Sequence, residues 1–258
     1  TTWTQFVWDI WIRRVGPLWP LAGRIASLPF LPGGSSLETA RALLPQETAA
    51  PWGRIKPAVQ VGVGTPVAVF AGCTARNAHP GWIARAETLL RRWGYVVLDG
   101  GGFTCCGGTL HHAGLFAAQA EVRRRNIERW RDMGRPVIAA FCASCKHGLD
   151  AYAEEGGMEP EEAALWKRQV RGLSALLAAP VCETVPDAPA RIGYHQPCHW
   201  GEDDPDLPFL RQAFPLIRKG TGLCCGMGGM WWIFQYNTLF LFVFRYMVQP
   251  LPPLGKRR

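Results

Sequence analysis

PVAVFAGC (residues 66–73) is a short apolar run that ends on a glycine and a cysteine. A run of this length, bounded by turn-forming residues, suits a strand buried on both faces. PGWIARAETLLRRWG (80–94) follows, with proline at its start and glycine at its end, the usual punctuation of a helix. YVVLDG (95–100) predicts a second strand, a long helix is expected over 112–133 ending at Gly134, and PVIAAF (136–141) predicts a third strand. A helical stretch over 160–178 then leads to Pro180. Strands alternating with helices imply parallel α/β units. In open sheets of that kind, functional residues gather at the carboxyl ends of the strands. Each expected strand here runs into cysteine: Cys73, then Cys105-Cys106, then the CASC of Cys142 and Cys145.

The pattern restarts at ARIGYHQPC (190–198), continues through an expected helix over 205–214, and reaches GLCCGMGG at 222–229. Both halves share one order: strand, single cysteine, helix, strand, Cys-Cys-Gly. Cys73 maps onto Cys198, and Cys105/Cys106 onto Cys224/Cys225. The expected fold class is therefore α/β, with two Rossmann-like lobes related by internal duplication and an irregular helical N-terminal arm. The expected domains are an amphipathic arm and linker (1–65), a first module (66–180) and a second module (181–258). Counting on from Cys225 as Cys142 follows Cys106 gives position 261, three past the last residue, so the second module is expected to be incomplete at its C-terminus.

The two ends differ from the middle. WTQFVWDIWIRRVGPLWPLAGRIASLPFL (3–31) mixes Trp, Leu and Pro with scattered Arg. It reads either as an amphipathic segment on a partner or membrane face or as an arm packed on its own domain. The uncharged apolar stretch Met230–Phe244 has 15 residues, short of the roughly 20 that a spanning helix needs.

Composition sets the class. With 48% hydrophobic and 19% charged residues, the 258-residue chain can bury a sizeable core and is not disordered. The net charge of +8 favours anionic partners only weakly. The basic run VRRRNIERWR (122–131) has the spacing of a solvated helix face, and no nucleic-acid motif accompanies it. Nine cysteines, clustered and odd in number with no leader pattern before them, point to metal or redox ligands in a reducing compartment.

Adjacent cysteines decide the chemistry. Neighbouring Cα atoms lie about 3.8 Å apart, whereas a relaxed disulfide prefers roughly 5.5 Å. Two thiolates on neighbouring residues can, however, both reach one metal centre. Thiolates are soft ligands that suit iron–sulfur clusters, zinc and Cu(I). Glycines at 107–108, 226 and 228–229 let backbone N–H groups approach the sulfurs.

The spacing C-x31-CCG-x35-CxxC, with VFAGC, CCGGTLHHAG, RRNIERW, YHQPCH and CCGMGG, resembles the cysteine-rich CCG domain of the heterodisulfide reductases. It is similar also to the iron–sulfur subunits of glycolate oxidase, anaerobic glycerol-3-phosphate dehydrogenase and lactate-utilisation complexes. The resemblance covers about residues 66–237. It implies that Cys73, Cys105, Cys106, Cys142 and Cys145 form one ligand set for a [4Fe-4S] cluster, non-cubane in the heterodisulfide reductases. Cys198, Cys224 and Cys225 would be the remnant of a second set, with His195 or His199 as support. The implied function is an iron–sulfur electron-transfer subunit, an oxidoreductase component that could itself reduce a disulfide. Its implied partners are a flavoprotein dehydrogenase or a ferredoxin-type iron–sulfur subunit, with a quinone or disulfide acceptor and no nucleic acid. The expected location is cytoplasmic, peripheral at the inner membrane face.

Rival readings stand beside this one. Four cysteines of the first set could hold structural zinc, although five thiolates exceed zinc's usual four. The second set with His195 and His199 would suit a Cys/His zinc site, and zinc throughout would make the chain a metal-stabilised interaction module. CASC alone also resembles a thioredoxin-like redox pair. A c-type haem is excluded, because Lys146 and not histidine follows Cys145. His111 and His112 read as solvated or capping residues, and Cys182 as a bystander.

Overall fold

The computed structural model describes residues 3–26, 28, 53–186, 192–220 and 249–250. The expectations for Cys224, Cys225 and Met230–Phe244 lie outside them. The arm is helical: α1 (Trp3–Arg13), a 3-10 turn (Gly16–Leu18) and α2 (Trp19–Ala26). It lies against its own fold. Gln5 Nε2 donates to the Ala113 carbonyl at 3.2 Å, and Trp19 is buried. Gly16 sits so close to the Asn77 amide that a Cβ there would collide with it.

The next strand, β1 (Gly53–Pro57), precedes the parallel core. That core follows the expected alternation: β2 (Pro66–Phe70), α3 (Gly72–Ala78), α4 (Pro80–Arg92), β3 (Val96–Leu98), α5 (Gly108–His112), α6 (Phe116–Asp132), β4 (Val137–Ala140) and α7 (Ala143–Ala151). Next come α8 (Pro160–Gln169), β5 (Val170–Gly172) and α9 (Leu173–Leu176). The sheet order is β3-β2-β4-β5, parallel throughout. β2 is central, and all of its residues but Pro66 are buried. Its period of two sends Ala68 and Phe70 to one face and Val67 and Val69 to the other.

Each face carries its own core. On one side Phe70 packs with Phe103, Ile127, Trp130, Leu149, Tyr152 and Trp166; on the other Val67 and Val69 pack with Leu90, Trp93, Leu176 and Leu177. A buried tryptophan removes roughly 150–250 Å² from water, so these rings carry much of the burial energy at about 25 cal/mol per Å². Their N–H donors are satisfied. Trp93 donates to the Ala178 carbonyl at 2.7 Å, Trp130 to Pro136 at 2.9 Å and Trp166 to Leu149 at 2.7 Å.

The helix expected over 160–178 is broken. Residues 170–172 leave it and pair with β4 as an edge strand, because the open edge of β4 offers backbone partners that a three-residue extension can satisfy. Also unforeseen is an antiparallel ribbon of β1 with β6 (Pro180–Thr184), which ties residues 53–57 to the far end of the first lobe.

Beyond it, β7 (Ile192–Tyr194), a 3-10 turn (Cys198–Trp200), α10 (Asp206–Ala213) and β8 (Arg218–Lys219) form a second strand–helix–strand unit. β7 and β8 pair in parallel, and β9 (Gln249–Pro250) adds antiparallel to β7. The α/β class holds. Duplication is not established, because among the described residues this unit has no counterpart of β4 or β5. No helix among the described residues is long and apolar enough to cross a membrane.

Candidate metal centre

The carboxyl ends of β2, β3 and β4 bring five cysteines together. Cys73 lies in the first turn of α3, Cys105 and Cys106 in the loop between β3 and α5, Cys142 at the N-cap of α7, and Cys145 in its first turn. Their sulfurs form a row of hydrogen-bonded neighbours running Cys73, Cys105, Cys106, Cys145, Cys142. Thiol bonds from Cys105 and Cys145 hold the Cys106 thiol well below its usual range against the opposing effect of burial. The Cys105 bond likewise lowers Cys73. Cys105 and Cys145, the donors, are raised well above theirs by those same bonds and by burial. Among the described residues no three His, Cys, Asp or Glu side chains converge as the cage of a single ion; the sulfurs make an extended row.

Glycine makes room for that row. Gly72 has φ +67°, and a Cβ there would stand 2.8 Å from Cys145 Sγ. A Cβ on Gly148 would lie 3.3 Å from Cys106 Sγ. Gly107, at φ +82°, turns its N–H toward Cys105 Sγ at 3.3 Å. Around a cluster, N–H bonds to the ligating sulfurs tune its potential.

Residues 67–150 match the family model described as the CCG cysteine-rich domain. This part of the chain is a CCG domain. The match takes in all five cysteines of the row and leaves out the N-terminal arm, β1 and everything past residue 150, α8 included. No curated protein and no solved structure matches the chain.

Two side chains that the sequence pattern did not single out fix the Cys-Cys backbone, Asn126 within the CCG domain and Tyr152 just past its matched residues. Asn126 of α6 donates to the Cys105 carbonyl at 2.9 Å and accepts from the Thr104 N–H at 3.0 Å. The Tyr152 hydroxyl donates to the Cys106 carbonyl at 2.8 Å and accepts from Asn126 Nδ2 at 3.0 Å. Both residues are fully buried. Arg129, one turn from Asn126, donates to the carbonyls of Gly101 and Asp99 at 2.8 and 3.0 Å, which staples the approach to the cysteines. A signal for Asn126 did exist: it falls four residues after Val122 and four before Trp130, a polar residue on the apolar stripe of α6.

The remaining candidates fall elsewhere. Cys198 is exposed at the start of the 3-10 turn packed on α7. His199 is joined to the first set: its Nδ1 lies 2.8 Å from Ser144 Oγ, inside the CASC, and its ring stacks on His147 at 4.7 Å. Burial, then His147 and His112, push its pKa down. His195 is half-buried just past β7, and Cys224 and Cys225 are outside the described residues. His111 and His112 are exposed at the end of α5. Cys182 sits in β6 opposite Ile55, apart from the row, with burial raising its thiol.

The residues fit the group that the resemblance implies. Five soft donors, a backbone N–H directed at one of them and glycines where side chains would displace sulfur are consistent with a metal or cluster.

Proposed function

We propose that this chain is an iron–sulfur electron-transfer subunit. Cys73, Cys105, Cys106, Cys142 and Cys145 would hold a [4Fe-4S]-type cluster. The carrying observation is the unbroken row of five sulfurs at three adjacent strand ends. When bound, the cluster supplies one-electron redox change. The chain's own residues do the rest: Asn126 and Tyr152 hold the Cys105-Cys106 backbone, the Gly107 N–H donates to sulfur, and Gly72 and Gly148 leave the row its space.

Electrons would pass from a flavoprotein dehydrogenase or a ferredoxin-type iron–sulfur subunit to a quinone or a disulfide. The exposed apolar side chains of the arm, Trp3, Phe6, Leu18, Leu21 and Ile25, favour peripheral attachment at a cytoplasmic membrane face or partner. Anaerobic purification with iron, sulfide and zinc counted per chain, backed by EPR of oxidised and reduced samples, tests the assignment. Matching iron and sulfide, lost in the Cys105→Ser/Cys106→Ser double variant, is the expected result. Zinc alone, with no iron after reconstitution, overturns it in favour of a zinc-stabilised interaction module.

A further inference from the structure

A cavity of about 370 Å³ opens between the arm and the CCG domain. Its lining includes the part-buried Cys73 and Cys105, one end of the sulfur row, and four arginines: Arg13, Arg14, Arg76 and Arg125. The arginines come from three separate places: the end of α1, α3 and α6. Among the described residues no aspartate or glutamate lines the space. Of the nearby carboxylates, Asp9 pairs with Arg13 at 3.2 Å, and Glu121 is shared between Arg13 and Arg125. Arg14 and Arg76 have no carboxylate partner among the described residues.

Bringing like charges together costs free energy, and here two carboxylates offset four guanidinium groups. Two positive charges remain, directed at a space at the small end of the range for ligand pockets. Guanidinium forks match the paired oxygens of carboxylate and phosphate. We infer that the cavity is a binding site for a small dianion presenting carboxylate or phosphate oxygens, held beside Cys73 and Cys105 by Arg14 and Arg76. The arm is part of this site: Gly16, whose close approach seats the arm on Asn77, brings Arg14 to the cavity. The binding claim stands on the arginines; only its bearing on electron transfer rests on the function proposed above.

Isothermal titration of the full chain with succinate, inorganic phosphate and neutral succinamide tests it. Saturable binding of succinate or phosphate, none of succinamide, and weakening at higher salt are expected. The stronger of the two anions identifies the oxygen donor. Arg14→Gln and Arg76→Gln should each weaken binding by about tenfold, the scale of one charge-assisted contact. Arg76→Lys should recover part of the loss. Arg92→Gln, at an exposed position of α4 outside the cavity, should change nothing. Both cavity arginines are exposed, so these variants should melt like the parent chain. No saturable binding of either anion, or equal weakening by Arg92→Gln, overturns the inference. Iron and sulfide counted on the same samples separate the two claims: anion binding without iron sinks the cluster and leaves the site, and iron without anion binding does the reverse.

Discussion

Replacing Gly72 by alanine perturbs the sulfur row through one methyl group. Two costs are separable. The first is backbone: at φ +67° an L side chain is strained, at about 1–2 kcal/mol. The second is contact: the new Cβ would stand 2.8 Å from Cys145 Sγ, where nonbonded atoms prefer roughly 3.5–4.0 Å. The sulfur must retreat by about 1 Å, and leaving its rotamer well adds about 0.5–1.5 kcal/mol. Gly134→Ala supplies the control, since its φ is +80° and a Cβ there meets nothing within 4 Å. In the metal-free chain, urea unfolding should show about 1–2 kcal/mol lost for Gly134→Ala and about 1.5–3.5 kcal/mol for Gly72→Ala. Iron and sulfide after reconstitution should be unchanged in Gly134→Ala and fall to less than half in Gly72→Ala. Equal iron in the two variants would refute the reasoning, because the position of Cys145 Sγ would then not matter to the site.

Other outcomes follow from the same contacts. Tyr152→Phe leaves the buried Cys106 carbonyl without its donor, and should cost about 1–3 kcal/mol in urea unfolding; no loss would mean that another group satisfies that carbonyl. Burial first, and then the neighbouring Asp204 carboxylate, raise Asp206 from 3.8 to about 6. The folded state therefore binds more protons than the unfolded chain between those values, and stability falls as pH rises through the window and is level above it. Relative to Asp206→Asn, the parent chain should lose up to about 3 kcal/mol across that range, and a pH-independent difference would contradict the assignment. Ser144→Ala removes the bond to His199 Nδ1, so amide exchange over residues 196–201 should quicken while α6 stays protected; an unchanged pattern would show that the turn is held by packing alone.

The alternation of apolar runs with amphipathic segments was enough to place β2, α4, β3, β4 and the cysteines at the strand ends. That information is local. A strand buried on both faces must be apolar along its length, and a helix end needs its proline or glycine nearby in sequence. β5 was not legible, because Val170, Arg171 and Gly172 continue a helical pattern and become a strand only where the edge of β4 meets them. The ribbon of β1 with β6 was hidden for the same reason: its partners stand more than a hundred residues apart.

The site divides along the same line. Which residues can be ligands is legible along the chain, since adjacent cysteines followed by glycine have few other uses. Tertiary structure alone decided their order in space, because crossover connections place the sulfur of Cys145 beside Cys106 and that of Cys73 beside Cys105. It also took His199 to Ser144 of the first set, across 55 residues, and brought Arg14 of the arm to Cys73. Such meetings depend on the packing of helices and loops over the sheet, and a one-dimensional pattern carries no record of which surfaces will touch.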